Sequence, residues 1–117
     1  MAKLSWTALL LAGCATAPSP ETYRAIGQEP GWTLSIANGR MLYLGDYGET
    51  RIEVPAPAPR TSFNGHRYET PRLTVDLTHG RCNDAMSGVA YADQVLVIAD
   101  GRSVRGCGGE RRPEWDM

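Results

Sequence analysis

Ser87, followed by Gly88, is the hydroxyl that acyl-transfer chemistry would need, provided a histidine takes its proton and a carboxylate orients that histidine. The chain has two histidines, His66 and His79, and Asp76 or Asp84 could serve as orienter. No Gly-x-Ser-x-Gly elbow surrounds the serine. Glu29 and Asp84 offer a second chemistry, a carboxylate pair of the glycosidase kind, but nothing in the sequence draws them together. Neither a Cys-x-x-Cys motif nor a histidine-rich spacing is present, so no metal or other cofactor is expected. The expectation is a protein that does not catalyse, with hydrolysis through Ser87 or a carboxylate as the remote alternative.

The cysteines say more. There are three, Cys14, Cys82 and Cys107, an awkward number for an exported protein. Residues 1–13 read as an export signal, with Lys3 as the positive start and residues 4–11 (LSWTALLL) as a short apolar core. That run is too short to span a bilayer, which takes roughly 20 residues. The segment Leu11-Ala12-Gly13-Cys14 resembles a bacterial lipobox, whose cysteine receives a diacylglyceryl thioether and becomes the first residue of the mature chain. The competing reading is an ordinary signal followed by a chance cysteine. Ala15, rather than Asp, after the cysteine resembles the signal for sorting to the outer membrane, with the domain in the periplasm. Lipidation of Cys14 leaves Cys82 and Cys107 to pair in a compartment that permits disulfides. Two free thiols or a metal pair are the alternatives. A bridge closing a loop of this size stabilises by about 3 kcal/mol in the chain-entropy account.

Removal of residues 1–13 takes Lys3 away and leaves 11 arginines against 13 acidic residues, a net charge of −2. Such a chain lacks the basic face that nucleic-acid binding needs. Residues 14–22 form the lipidated cysteine and a Pro/Ser/Thr tether that holds the domain close to the membrane. Residues 23–110 are read as one domain and residues 111–117 as its C-terminal tail; residues 108–117 are expected to fray, although Trp115 could dock.

Period-two alternation and turn residues dominate this domain, and no useful amphipathic helix shows. Residues 23–27 are a short strand and residues 28–31 a Pro/Gly turn. Trp32, Leu34 and Ile36 share one face of the next strand. Asn38-Gly39 is a two-residue hairpin turn that sets Ile36 against Met41 and Leu34 against Tyr43. Ile52 and Val54 point inward on a strand over residues 50–54, and Pro55, Pro57 and Pro59 mark a sheet edge or crossing. Asn64-Gly65 predicts a second two-residue turn, pairing Arg60 with Glu69. Leu73, Val75 and Leu77 face inward along residues 72–79. Residues 82–88 leave the sheet as a loop, with one helical turn started by Asn83 or Asp84. Residues 94–99 are the most apolar strand, and Asp100-Gly101 turns it so that Val97 meets Val104 and Cys107 meets Gln94. The fold expected is all-β, a small antiparallel barrel or sandwich of about eight short strands with one disulfide.

Three segments stand out: Gly27-Gln28-Glu29-Pro30-Gly31-Trp32, Cys82-Asn83-Asp84-Ala85-Met86-Ser87 and Gly106-Cys107. Read structurally, Pro30 and Gly31 turn the chain, Trp32 plugs the core, and Asp84 or Ser87 bonds loop N–H groups. Read functionally, the disulfide stiffens a recognition loop that displays Asp84, Met86 and Ser87, with Arg105 nearby. In order and spacing the three segments resemble the Gly-x-Glu-Pro-x-Trp, Cys-x-Asp-x-Met-Ser and Gly-Cys motifs of an uncharacterised family of bacterial envelope lipoproteins. Members stand alone or neighbour META (HslJ-like) domains. The resemblance covers most of residues 23–109. It implies a β fold and an envelope location, with Glu29, Pro30 and Trp32 as motif residues, and no activity. Ser87-Gly88-Val89-Ala90-Tyr91 is distantly similar to the Ser-Gly-x-x-Tyr loop of membrane-bound inhibitors of C-type lysozyme. That similarity implies lysozyme as a protein partner, reached through Ser87 with Arg102 or Arg105 as the later basic residue, and the acidic net charge suits a basic partner.

Overall fold

The computed structural model describes residues 22–117. The export signal, Cys14 and all of the tether but Thr22 lie outside the described residues. Nine strands follow one another: β1 (Tyr23–Gly27), β2 (Trp32–Ala37), β3 (Arg40–Gly45), β4 (Thr50–Pro55), β5 (Arg60–Ser62), β6 (Gly65–Glu69), β7 (Leu73–Asn83), β8 (Ala90–Ala99) and β9 (Arg102–Arg111). They make one antiparallel sheet in the order β4-β3-β2-β1-β9-β8-β7-β6-β5. The chain is therefore two meanders, β1–β4 and β5–β9, joined where β1 pairs with β9. The sheet curls into a half-barrel. The expected all-β antiparallel fold is what forms. The sandwich alternative is not, because there is one continuous sheet, and β7, β8 and β9 run to 11, 10 and 10 residues rather than being short.

Curling brings the inner faces of both meanders onto one core. Trp32, Leu34, Met41, Tyr43 and Ile52 from the first meet Leu73, Val75, Leu77, Val95 and Val97 from the second. Each large side chain buried this fully contributes about 1.5–3 kcal/mol of transfer free energy. The open seam lies between β4 and β5. Pro55 sits on edge strand β4, where a missing N–H breaks no ladder. Ala56 beyond it packs against the core, and its N–H donates to the Gly39 carbonyl at 2.8 Å.

Two hairpins have the register that their turn residues dictate: Leu34 faces Tyr43 and Ile36 faces Met41, and Val97 faces Val104 with Cys107 opposite Gln94. The third does not. Its turn is Phe63-Asn64, so Ser62 pairs with Gly65 and Arg60 with Arg67. Asn64 takes the left-handed conformation (φ 63°) that Asn-Gly was expected to share. Gly65 is needed elsewhere, because a Cβ there would stand 1.8 Å from the Leu77 carbonyl oxygen of β7. Arg60 and Glu69 still meet across the two strands, at 3.1 Å, but diagonally instead of directly opposite.

The end of β7 is also different. Cys82 and Asn83 remain in the sheet, opposite Tyr91 and Ala90. Between His79 and Cys82 the register slips, so Gly80 and Arg81 oppose the single residue Ala92. On its other side Ala92 opposes two residues of β9, Gly109 and Glu110. These are β-bulges, and Gly109 supplies the positive φ (80°) of the glycine type. Two bulges around one residue fold the sheet sharply. Strands two places apart normally lie about 10 Å from each other, yet Cys82 of β7 and Cys107 of β9 have Cα atoms 5.5 Å apart and are bridged. The cysteines pair as expected, but the disulfide spans β8 and does more than close a hairpin.

Inside the β1–β9 junction, Trp32 lies across two glycines. A Cβ on Gly27 would fall 2.0 Å from the indole Nε1, and one on Gly106 would fall 2.8 Å from Cζ2 and 1.9 Å from the Ile26 carbonyl oxygen. Gly106→Ala should therefore cost roughly 1–3 kcal/mol or more through overpacking. At the turn residue Gly39 (φ 73°) nothing lies within 4 Å, so Gly39→Ala carries only the left-handed penalty, about 1 kcal/mol. Urea unfolding of the two variants tests this. Equal losses would mean that close packing by the Ile26 carbonyl and the indole does not set the requirement at Gly106.

Candidate functional site

A cleft of about 440 Å³ opens on the outer face of β7, β8 and β9. Alternation along the strands puts Asp76, Thr78, Gln94, Leu96 and Arg105 on this face, opposite the core residues Val75, Leu77, Val95 and Val97. The Cys82–Cys107 bridge forms part of the wall, and Gln28 and Asp84 form the rim.

Residues 84–89 are a closed, self-satisfied loop. The N–H of Gly88 donates to the Asp84 carbonyl and that of Asp84 to the Val89 carbonyl, both at 2.8 Å. The expected single helical turn is present and begins at Asp84. Its carboxylate Oδ2 accepts the Ser87 N–H at 3.1 Å and the Ser87 hydroxyl at 2.9 Å, in the manner of a helix cap. The same hydroxyl oxygen accepts the Val89 N–H at 3.2 Å. Oδ1 receives the Gln28 amide at 3.5 Å, which ties the turn before β2 to this loop. Asp84 is 5% exposed, while Ala85, Met86 and Ser87 form an exposed tip.

The loop is also braced by the C-terminus, which does not fray. The main-chain N–H of Met117 donates to the Gly88 carbonyl at 3.0 Å. The side chains of Arg81 and Asn83 donate to the Trp115 carbonyl at 2.8 and 2.9 Å. Asp116 accepts the Ala90 N–H and a two-pronged pair of bonds from Arg111, which hold its carboxyl below the usual range. The Trp115 ring carries the guanidinium groups of Arg81 and Arg112 at 5.9 and 5.1 Å.

A second polar cluster lies on the inner face, at the end of the core. Asp93, 6% exposed, accepts the Tyr23 hydroxyl on Oδ2 and bonds His79 Nδ1 through Oδ1, each at 2.8 Å. The His66 ring meets His79 edge-on with centroids 5.6 Å apart. Burial, and then the bond to Asp93, push the Tyr23 phenol well above its ordinary range.

The structure separates the parts of the serine chemistry considered above. Ser87 bonds Asp84 and has no imidazole partner among the described residues. His79 lies within β7, not at its end, and its partner is Asp93. His66 is half-buried against His79, and Asp76 is taken by Arg67 at 2.9 Å. Glu29 is exposed in the turn before β2, and Gln28, not Glu29, reaches Asp84. No group of three metal-ligating side chains occurs among the described residues. Of the proposed recognition residues, Asp84 and Arg105 share the cleft, Ser87 turns back onto Asp84, and Met86 is 66% exposed at the tip. Of the motif residues, Trp32 is buried in the core and Pro30 is half-buried in the turn.

Sequence reasoning missed Tyr23 and Asp93. Starting the strand at Gln94 left Asp93 out, although it continues the inward series of Val95, Val97 and Ala99. A carboxylate on a core-facing register position was the available signal. Comparison of the chain with known protein families, curated proteins and solved structures finds no match.

The inner cluster gives a pH test. The unfolded phenol ionises near pH 10, whereas folded Tyr23 holds its proton to higher pH. The folded state thus binds more protons than the unfolded state above that point, and stability falls as pH rises. Up to about 1.4 kcal/mol per pH unit of that fall belongs to Tyr23. In Tyr23→Phe the alkaline slope should shrink by one proton, and at neutral pH the variant should lose about 1 kcal/mol for the missing hydrogen bond. Unfolding curves at stepped pH measure both, and an unchanged alkaline slope would remove Tyr23 as the linked group.

Proposed function

We propose that this chain is a non-catalytic envelope lipoprotein. Lipid on Cys14 anchors it in the outer membrane facing the periplasm, and its β domain binds a partner at the outer cleft. The observation that carries the reading is convergence. The three segments that resemble the envelope-lipoprotein motifs, far apart in sequence, meet around one place. Gly27 and Gly106 receive Trp32 beneath it, Gln28 bonds Asp84 on its rim, and Cys82 bridges Cys107 in its wall. A purely structural motif would need the core contacts but no outer cleft rimmed by charged side chains. The absence of catalysis is argued from Ser87, whose proton is directed to a carboxylate and whose oxygen already accepts an N–H.

A second reading is inhibition of C-type lysozyme, with the exposed tip at Ala85, Met86 and Ser87 as the contact. What favours it is the bracing of that tip by the disulfide, Asp84 and the C-terminus, since a pre-ordered loop loses little entropy on binding.

Fractionation and crosslinking test these readings. Cys14→Ser should move the chain from the membrane pellet to the soluble fraction, and a variant that stays in the pellet would refute the lipid anchor. A photo-crosslinking residue at Ala85 should capture an envelope component. The same residue at Glu53, on the far side of the sheet, should not, and reduction of the disulfide should weaken capture. Equal capture at both positions would refute the cleft as the site. Micromolar protein that leaves C-type lysozyme fully active would end the second reading.

A further inference from the structure

We infer that the outer cleft takes a zwitterionic ligand of peptide type, with its ammonium at Asp84 and its carboxylate at Arg105; this rests on the cleft being a binding site. The argument begins with an imbalance of charge. Most arginines of the domain are paired with acids: Arg40, Arg51, Arg60, Arg67, Arg72, Arg102, Arg111 and Arg112 each have a carboxylate within 4.0 Å. Arg105 lines the cleft and has no such partner among the described residues.

Asp84 is its counterpart. It is almost fully buried, and its hydrogen bonds all come from neutral donors: the Ser87 N–H, the Ser87 hydroxyl and, at 3.5 Å, the Gln28 amide. No cation lies within 4.0 Å of it among the described residues. A carboxylate taken out of water without a counter-charge is costly, and the weakly bonded Oδ1 leaves room for a stronger donor. An ammonium supplies both the charge and the donor.

The two residues line one cleft and do not pair with each other. They are the two charged groups of the lining without a charged partner among the described residues, Asp76 being paired with Arg67. The wall also offers the Thr78 hydroxyl and the Gln94 side-chain carbonyl for peptide groups, the Gln94 NH2 being given to the Arg81 carbonyl at 3.2 Å, and Leu96 for an apolar side chain. A volume of about 440 Å³ suits a ligand of a few residues. A lone anion would satisfy Arg105 and leave Asp84 as it is, and a lone cation would do the reverse. A ligand with both charges satisfies both without adding net charge to the cleft.

The test uses the full, oxidised chain in detergent with trialanine as probe, followed through the backbone amide resonances of Gln28, Asp84 and Gly106. Trialanine should shift all three. N-acetyl-trialanine, lacking the ammonium, and trialanine amide, lacking the carboxylate, should each bind about tenfold more weakly or worse. In Arg105→Gln, trialanine and its amide should bind alike while the N-acetyl form stays weaker. Asp84 also holds the loop, so its role is read from the N-acetyl comparison in the unaltered chain and not from a variant. The inference is overturned if none of the three amides shifts at millimolar trialanine, if either capped peptide binds as well as the free one, or if acetate or ethylammonium alone binds as tightly. Capture of a partner at Ala85 without any trialanine shift would overturn the zwitterionic ligand and leave the binding module standing.

Discussion

The junction of β1 with β9 is the constraint on which the rest of this fold depends. Two meanders share one sheet only through that ladder, and it is short: Ala25 opposite Gly108 and Ile26 opposite Cys107. So few backbone pairs do not hold two sheets in a fixed curl. The junction is instead clamped on both faces. Inside, the Trp32 indole lies over Gly27 and Gly106, close enough that neither position admits a Cβ. Outside, Cys107 is bridged to Cys82. The glycines, the tryptophan and the disulfide are one device, which explains why residues so far apart in the chain must be chosen together. The indole N–H finds no partner among the described residues, so the close fit outweighs a satisfied donor at this point.

The same clamp organises the outer surface. Folding the sheet at Ala92 brings the end of β7 across β8 and leaves a concavity where a flat sheet would have none. Asp84 and Ala85, carried by that end, become part of its lining. The cleft is thus built on strands, a disulfide and a loop closed by its own hydrogen bonds. On the inner face the fold has a different consequence. The inward series of β7 and β8 ends in His79 and Asp93 instead of more apolar residues, and Tyr23 meets them from β1. At this end of the core the buried Asp93 carboxylate is satisfied by hydrogen bonds with Tyr23 and the exposed His79, whereas the middle is closed by Leu34, Val75 and Val97.

Much of this was legible in the residues. Alternation identified the inner faces of β2, β3, β4 and β7, and the Asn38-Gly39 and Asp100-Gly101 turns set two registers correctly, because there the local turn preference met no competing demand. At Asn64-Gly65 it did: the glycine was claimed by the approach of β6 to β7, and the turn moved back by one residue. The continuation of β7 to Asn83 was hidden for a related reason. A bulge inserts a residue and reverses the alternation, so the strand seems to stop at the point where it bends. The pairing of the cysteines followed from their number and compartment, but that they span β8 did not, since sequence spacing carries no information about which strand lies between. The bond between Asp84 and Gln28, and the placing of Asp84 and Arg105 on one cleft, depend on those bulges and were equally out of reach.

Ser87 shows how the same residues can be read for chemistry or for shape. A serine nucleophile must be able to give up its proton to a base, and its oxygen must be open to a carbonyl carbon. Here the hydroxyl donates to Asp84 and its oxygen accepts from Val89. Both capacities are used to close a turn. A carboxylate in that position orders the loop but, with no imidazole between, provides no relay. Asp84 therefore has two oxygens with different duties: Oδ2 is occupied by the loop, and Oδ1 faces Gln28 at the limit of a hydrogen bond. Of the two, Oδ2 alone closes the loop, and the bond that Oδ1 makes to Gln28 adds a link to the turn before β2.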